Sequence, residues 1–311
     1  MFMDLQVLLA KVETGYGTDA APTGAANAVL AQNVKINPME ASEVQRQHAR
    51  PVQGARPSLL IGKHAKISFE VELKGSGVAG TPPACGVFLR ACKCAEVIVA
   101  ATSVTYNPVS QDHESVSIYF YVDGILYKIT GARGTWKLKL TAQAIPVIEF
   151  SLTGLFTVPT SQVLPTPTYG TQLTQDPQAA TSLTTPTFTI GAYAAILRNF
   201  TFDAGNDVKT RFLIRSESVI IRGSDEKAEF QIEAVPLATY NPYTLANAGT
   251  KQAVTLVHGT GAGKIATLTI PSFLILNPTG LEEVDGVVEH PLRGKCLPGS
   301  TGNDQFALAF T

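Results

Sequence analysis

Charge is scarce in this sequence. Asp, Glu, Lys and Arg make up 16% of its 311 residues, against about 25% in an average soluble chain. With 45% hydrophobic residues, so little charge implies a surface that is largely buried against partners. The 24 basic and 25 acidic residues nearly cancel, for a net charge of −1. That balance excludes a general nucleic-acid binder of the basic kind, and the hydrophobic share excludes a disordered chain. No apolar stretch approaches the roughly 20 residues of a membrane helix. The opening MFMDLQVLLAKVETGYG has no charged leading region and too short an apolar run for a secretory signal.

Reactive side chains are also few. The four cysteines are Cys85, Cys92, Cys94 and Cys296. Cys92 and Cys94 are one residue apart, not two, and no second pair exists, so they are expected to be buried thiols behaving as small hydrophobes. Without a secretory signal they are expected to be reduced, in a cytoplasmic product. The histidines (48, 64, 113, 258 and 290) are scattered and none forms H-E-x-x-H, so no metal site is expected. Asp112, His113, Glu114 and Ser115 have triad chemistry but are sequence neighbours, whereas a triad converges in space. They read as a solvated turn. No catalytic residue and no cofactor are assigned.

HGTGAGKIATLTI, residues 258–270, looks like a phosphate loop and departs from one at both ends. The pattern G-x-x-x-x-G-K-[ST] needs a glycine where His258 stands and a hydroxyl where Ile265 stands. The flanking runs alternate apolar and polar, as strands do. The glycines therefore mark a β-hairpin turn, with Lys264 pointing to solvent.

What the sequence does have is strand and turn material: 26 glycines, 19 prolines and many Thr and Val. KISFEVEL, residues 66–73, puts Ile67, Phe69, Val71 and Leu73 on one face and Ser68, Glu70 and Glu72 on the other, a half-buried strand. Residues 29–36, 97–99, 103–106, 115–121, 126–130, 135–140 and 147–152 are strand-like, with Asp123 and Gly124 as a tight turn. Thr81 followed by two prolines predicts a capped helix to about residue 95. Trp136 is expected to be a core or interface anchor. Residues 37–63 read as a long polar loop, of the functional or mobile kind. Residues 157–187, rich in Pro and Thr, read as an extended linker.

The two sides of that linker match in order. NVKI at 33–36 matches NFTF at 199–202, and KISFEVE at 66–72 matches KAEFQIE at 227–233. The helix at Thr81 has a shorter counterpart at residues 239–247, and residues 117–140 match 253–276. The expected organisation is a first unit at 1–156, a linker at 157–187 and a second unit at 188–311. Closed assemblies of such repeats use head-to-tail interfaces.

LLAKVETGYGTDAAPTGAANAVL near the start, HAKISFEVELKGSG and TPPACGVFLRAC, YVDGILYKITGARGTWKL and PVIEFSLTGLFTVPT, and the terminal GNDQFALAFT form an ordered set covering nearly the whole chain. The set resembles the major tail tube proteins of long, non-contractile (siphophage-like) bacteriophage tails. The resemblance implies a mainly β fold of two tandem tail-tube-type β-sandwich or barrel domains, each with a short flanking helix. It implies a structural virion protein, not an enzyme, that self-assembles into stacked rings forming the tube through which DNA is ejected. Trimeric rings with pseudo-sixfold symmetry follow if both halves are tube domains; rings of six follow if the second half is decoration.

The implied partners are further copies of the chain, a tape-measure protein, tail terminator and distal tail or baseplate proteins, and passing double-stranded DNA without specific binding. No membrane is implied. The implied place is the virion tail, assembled in the host bacterial cytoplasm. In the family the long loop after the second strand reaches a neighbouring subunit or ring. Residues 37–63 match it, so Arg46, His48, Arg50 and Arg56 are inter-subunit candidates, arginine being enriched at interfaces. The second half's corresponding segment, roughly 203–226, is shorter. Basic groups facing phosphates would grip DNA, so the lumen is expected to be neutral or acidic, with Glu70, Glu72, Glu229 and Glu233 as candidates. The alternative is a β-sandwich binding module recognising host surface glycans through exposed aromatics such as Tyr240 and Tyr243.

Overall fold

A computed structural model describes residues 4–278 and 280–311. Strand takes up 52% and helix 7%, so the chain is mainly β, as the sequence predicts. The first half contains β1 (Gln6–Val12), α1 (Gly24–Asn27), β2 (Ala28–Val29), β3 (Gln32–Gln45) and β4 (Ser58–Glu72). It continues with α2 (Gly86–Ala91), β5 (Cys94–Val99), β6 (Ser103–Pro108), β7 (Val116–Val122), β8 (Ile125–Thr141), β9 (Val147–Phe156) and β10 (Thr160–Ser161). The pairing is antiparallel in the order β2-β1-β7-β8-β9-β4-β3.

After α3 (Thr171–Thr174) come β11 (Thr187–Ile190), β12 (Tyr193–Ala194), β13 (Leu197–Asp203), β14 (Asn206–Leu213), β15 (Ser216–Ser224) and β16 (Lys227–Glu233). Then follow α4 (Pro242–Ala248), β17 (Lys251–His258), β18 (Ala266–Leu276), β19 (Glu282–Val284), β20 (Val287–Cys296) and β21 (Ala307–Phe310). Their order is β12-β11-β17-β18-β20-β16-β13, the order of the first half position by position.

The halves meet on β8. This strand shifts register between Thr130 and Arg133, where Gly131 has φ 59°, a conformation glycine adopts at little cost. Before the bend β8 lies beside β7; after it, Lys137 to Thr141 lie beside Asp203 to Asn199 of β13. One continuous sheet results, β3-β4-β9-β8-β13-β16-β20-β18. β21 adds a second seam by pairing with both β18 and β6. Alternation sends Phe69, Phe150, Trp136, Leu138, Phe202 and Phe230 to the core side. Trp136 lies 5.0 Å from Phe202 and 5.5 Å from Phe306, both from the other half. Each such buried side chain contributes about 1.5–3 kcal/mol relative to exposure.

Four sequence expectations need adjustment. The helix after Thr81 starts only at Gly86, with Cys85 at the capping position and no side-chain cap. Consecutive prolines hold the residues before them extended, so helix begins after them. In the second half the cap is Asn241, whose Oδ1 accepts from the Thr244 N–H at 3.0 Å, and Gly249 ends the helix in a left-handed conformation. Residues 37–63 are mostly a two-stranded arm, because β3 and β4 stay paired out to Gln45 opposite Ser58. Residues 157–187 are extended but fastened to both halves. On the first half Gln172 bonds Leu30 N–H and Ala28 C=O at 2.9 Å each and Ala180 exchanges bonds with Gln143 and Ala144; on the second, Gly259 N–H donates to Thr184 C=O at 2.6 Å and Gln178 donates to Thr260 C=O at 3.1 Å.

The GTGAGK segment connects the paired strands β17 and β18. Gly259, Gly261 and Gly263 have φ of 97°, 91° and 78°, and Lys264 is exposed. Gly263 C=O accepts from Gly77 N–H at 2.9 Å, so the glycines let two loops touch.

Candidate assembly surface

Cross-strand partners point to the same side of a sheet, so one row can be followed across the joint. Glu70 is opposite Glu149, Glu149 opposite Lys137, Lys137 opposite Asp203, Asp203 opposite Lys227, and Lys227 opposite Lys295. A parallel row runs Glu72, Val147, Lys139, Thr201, Glu229, Arg293. Glu233, four residues beyond Glu229 along β16 and so on the same side, stands opposite Glu289. Glu70, Glu72, Glu229 and Glu233 therefore share one face, the one turned away from the core.

That face is interleaved rather than acidic throughout. Lys139 meets Glu149 at 2.7 Å, Lys137 meets Asp203 at 3.0 Å, and Asp225 holds Lys227 at 2.7 Å and Lys295 at 3.0 Å. The Glu149 carboxylate raises the Lys139 pKa, and Lys227 and Lys295 lower that of Asp225. Neutralised pairs of this kind leave no free row of cations on which phosphates could settle.

The β3–β4 arm stands off the body. Its base is tied by Glu40, which meets Lys66 at 2.6 Å and His64 at 3.1 Å; Lys66 depresses the Glu40 pKa. Its apolar residues Met39, Val44, Leu59, Leu60 and Ile61 are all exposed. Arg46, His48, Arg50 and Arg56 sit at its exposed tip. There Arg50 donates to Ala55 C=O at 2.8 Å and Arg56 donates to Gln47, so the tip is shaped by its own arginines. Among the described residues β3 pairs only with β4. An unpaired edge with an apolar surface is a template for association.

The second half carries the same hairpin in a docked state. β14 and β15 pair with each other and lie against β8, β9 and β4. Val219 and Ile221 are buried there. Asn206 donates to Cys92 C=O at 2.9 Å and Gly134 C=O at 3.0 Å, and Arg133 donates to Val219 C=O at 3.0 Å. Val219 N–H donates to the Tyr16 hydroxyl, and the Arg133 guanidinium lies 4.7 Å over the Tyr16 ring. Tyr16 sits in the glycine-rich loop held by Glu13. That buried carboxylate accepts from Gly17 N–H, Gly131 N–H, Ser115 Oγ and Ser117 Oγ at 2.6–2.8 Å. Sequence reading missed Glu13, Tyr16, Arg133 and Asn206, because their partners lie far along the chain.

Asp112, His113, Glu114 and Ser115 do not converge as a triad, but they are not a solvated turn either, because Ser115 is buried. Glu114 binds Arg90, His113 faces Val109 C=O, and Ser115 serves Glu13. The four cysteines are buried and free. The aromatic pair offered for glycan binding is not an exposed cluster. Tyr240 is buried, stacked on Tyr193 at 4.7 Å, and only Tyr243 is exposed. Tyr240 lies inward because its ring stacks on Tyr193 and its hydroxyl donates to Gln252 Oε1 at 3.3 Å.

Among the described residues no group of His, Cys, Asp or Glu is arranged to hold a metal ion, and no helix is long and apolar enough to cross a membrane. No curated protein matches the chain. The description "Phage tail tube protein" belongs to the family whose profile matches residues 4–296. A match of that span, on a mainly β chain with an open sheet and an undocked arm, places this protein in the phage tail tube protein family.

Proposed function

We propose that three copies of this chain close into a ring, and that rings stack into the tail tube through which double-stranded DNA is ejected. Residues 1–156 and 188–311 act as two copies of one tube unit, fastened by residues 157–187. The observation that carries the reading is the continuous eight-stranded sheet, open along β3 at one end and, at the other, beyond Leu274 of β18, where pairing with β17 stops. Three copies supply about 24 strands; at roughly 4.8 Å spacing and 40° tilt they enclose a barrel on the order of 45–50 Å across. That leaves passage for a DNA duplex after side chains are counted.

The face carrying Glu70, Glu72, Glu229 and Glu233 lines the lumen, and the arm with Arg46, His48, Arg50 and Arg56 contacts neighbouring copies. Assembly takes place in the host cytoplasm around a tape-measure protein, between terminator and baseplate proteins. The role is mechanical and requires no catalytic group or cofactor. Cryo-electron microscopy of the concentrated protein tests this: rings of three chains showing six similar units are expected. Rings of six chains would overturn the trimer, and a persistently dispersed protein the tube.

A further inference from the structure

The geometry points to a proton-operated hinge at the base of the β3–β4 arm, in which His64 clamps the arm when its imidazole is charged and releases it when neutral. The hinge stands on contacts within one chain; only its use in assembly rests on the tube reading.

The pivot lies at residues 62–64. The β4–β9 ladder ends at His64, opposite Leu155, so among the described residues the outer part of β4 is paired with β3 alone. The β3–β4 ladder shifts register on both sides of the Glu40–His64 pair, and such irregularities are where strands bend. Gly62 has φ 62°, and a Cβ there would lie 3.2 Å from the Phe212 ring. The backbone can therefore turn at this point, between a body held on both edges and an arm held on one.

The clamp follows from what the imidazole faces. Nδ1 lies 3.0 Å from the Gly62 carbonyl oxygen and Nε2 lies 3.1 Å from Glu40 Oε2. Both partners accept and neither donates, whereas a neutral imidazole carries one N–H. Only the imidazolium donates to both. Glu40 is held as a carboxylate for this purpose. Its Oε2 also meets Lys66 at 2.6 Å, its Oε1 accepts from the Asn37 side chain at 2.9 Å, and Lys66 lowers its pKa. Imidazole gains its proton at a higher pH than a carboxylate does, so acid charges the ring while Glu40 is still ionised. The other elements against the ring bring no charge: β9 places Leu155 opposite it, and β14 brings Phe212, whose ring lies 6.1 Å away. The His64 side chain is 16% exposed, so water replaces a lost partner poorly. Imidazole is the side chain whose charge changes between about pH 5 and 8. The clamped arm is the protonated form and gains population as pH falls; the released arm gains as pH rises.

The test follows the arm in the dispersed monomer. Spin labels on Val44→Cys in the arm and Leu173→Cys in the body, both at exposed positions, report the distance between them, and the four native thiols are buried. The distance distribution should be narrow at about pH 5.5 and broad at about pH 8. His64→Gln and Glu40→Gln, each breaking the charged pair, should both remove this dependence. His48→Gln, at the arm's exposed tip, should keep it. One distribution at both pH values, or a pH change that survives His64→Gln, overturns the hinge. In parallel, wild-type tubes should form severalfold faster at the lower pH, because an arm already held loses less freedom on binding, and His64→Gln should flatten that difference. An equal pH dependence in both would overturn the hinge's use in assembly. If the labelled monomer responds as expected and no tube ever forms, the hinge stands and the tube reading falls. If tubes form while the arm ignores pH, the hinge falls and the tube reading stands.

Discussion

Leu59 and Val219 occupy matching places and opposite surroundings. Each is the second residue of a Ser-apolar-apolar-Ile run on the returning strand of a long hairpin, residues 58–61 and 218–221. Val219 is 0% exposed and Leu59 is 60% exposed. One hairpin has found its docking surface inside the chain, and the other presents the same kind of surface to solvent. The cost of leaving such groups in water, about 25 cal/mol per Å² of apolar area, is a driving force for association.

Replacing Trp136 by Ala should destabilise the chain by about 3–5 kcal/mol. The ring fills the joint between the halves against Phe202 and Phe306, so chemical denaturation should also lose cooperativity. Trp136→Phe should cost much less. An unfolding curve unchanged by Trp136→Ala would show that the joint is not a shared core.

Gly263→Ala should cost about 1–2 kcal/mol, whereas Lys264→Ala should stay within about 0.5 kcal/mol. Gly263 has φ 78°, and a Cβ there would lie 2.4 Å from the Gly77 carbonyl carbon. Lys264 is exposed. Thermal melts of the two variants check this. Loss of a measurable nucleotide affinity on removing Lys264 would revive the phosphate-loop reading.

Charge reversal on the shared face should leave the fold intact and change what passes over it. Glu70→Lys with Glu72→Lys and Glu229→Lys would add free cations to a balanced surface. Assembled tubes should then retain double-stranded DNA at low salt and release it as salt rises. DNA retention measured across a salt series is the readout. Wild-type tubes that grip DNA equally would remove this face from the lumen.

Truncating Arg46, Arg50 and Arg56 to Ala should not move the monomer's unfolding temperature, since all three are exposed on the arm. It should slow assembly and reduce its dependence on salt, as rim charges act mainly on encounter rates. Light-scattering kinetics at two ionic strengths would show it.

Acid should weaken the fold in two stages. His113, His258 and His290 have pKa values lowered by burial, so the unfolded chain binds their protons more readily. Their contribution is complete above the unfolded pKa of about 6.5 and is lost as pH falls through the lower folded values. Asp19, Glu40 and Asp225 have pKa values lowered chiefly by Lys128, Lys66 and Lys227 respectively, against a burial effect that raises them. Their contribution holds above about pH 4 and disappears below it. Unfolding temperatures from about pH 7.5 to about pH 3 should show both declines. His258→Gln should reduce the first.

The sequence by itself determined the β class, most strand positions, the repeat order and the turn at residues 259–264. Alternation, glycine and paired signatures are local, and local signals survive without a fold. It also placed the arginines and the four glutamates on their strands and segments. Only the tertiary structure decided that residues 37–63 are a paired arm rather than a loop. It alone put Glu70 and Glu229 on one face, because that depends on β8 bending at Gly131 to accept β13. It alone gathered Glu13, Tyr16, Arg133 and Val219, and drew Tyr240 inside. Those contacts join positions as much as 203 residues apart, and nothing in a local pattern fixes which distant strand a free edge will meet.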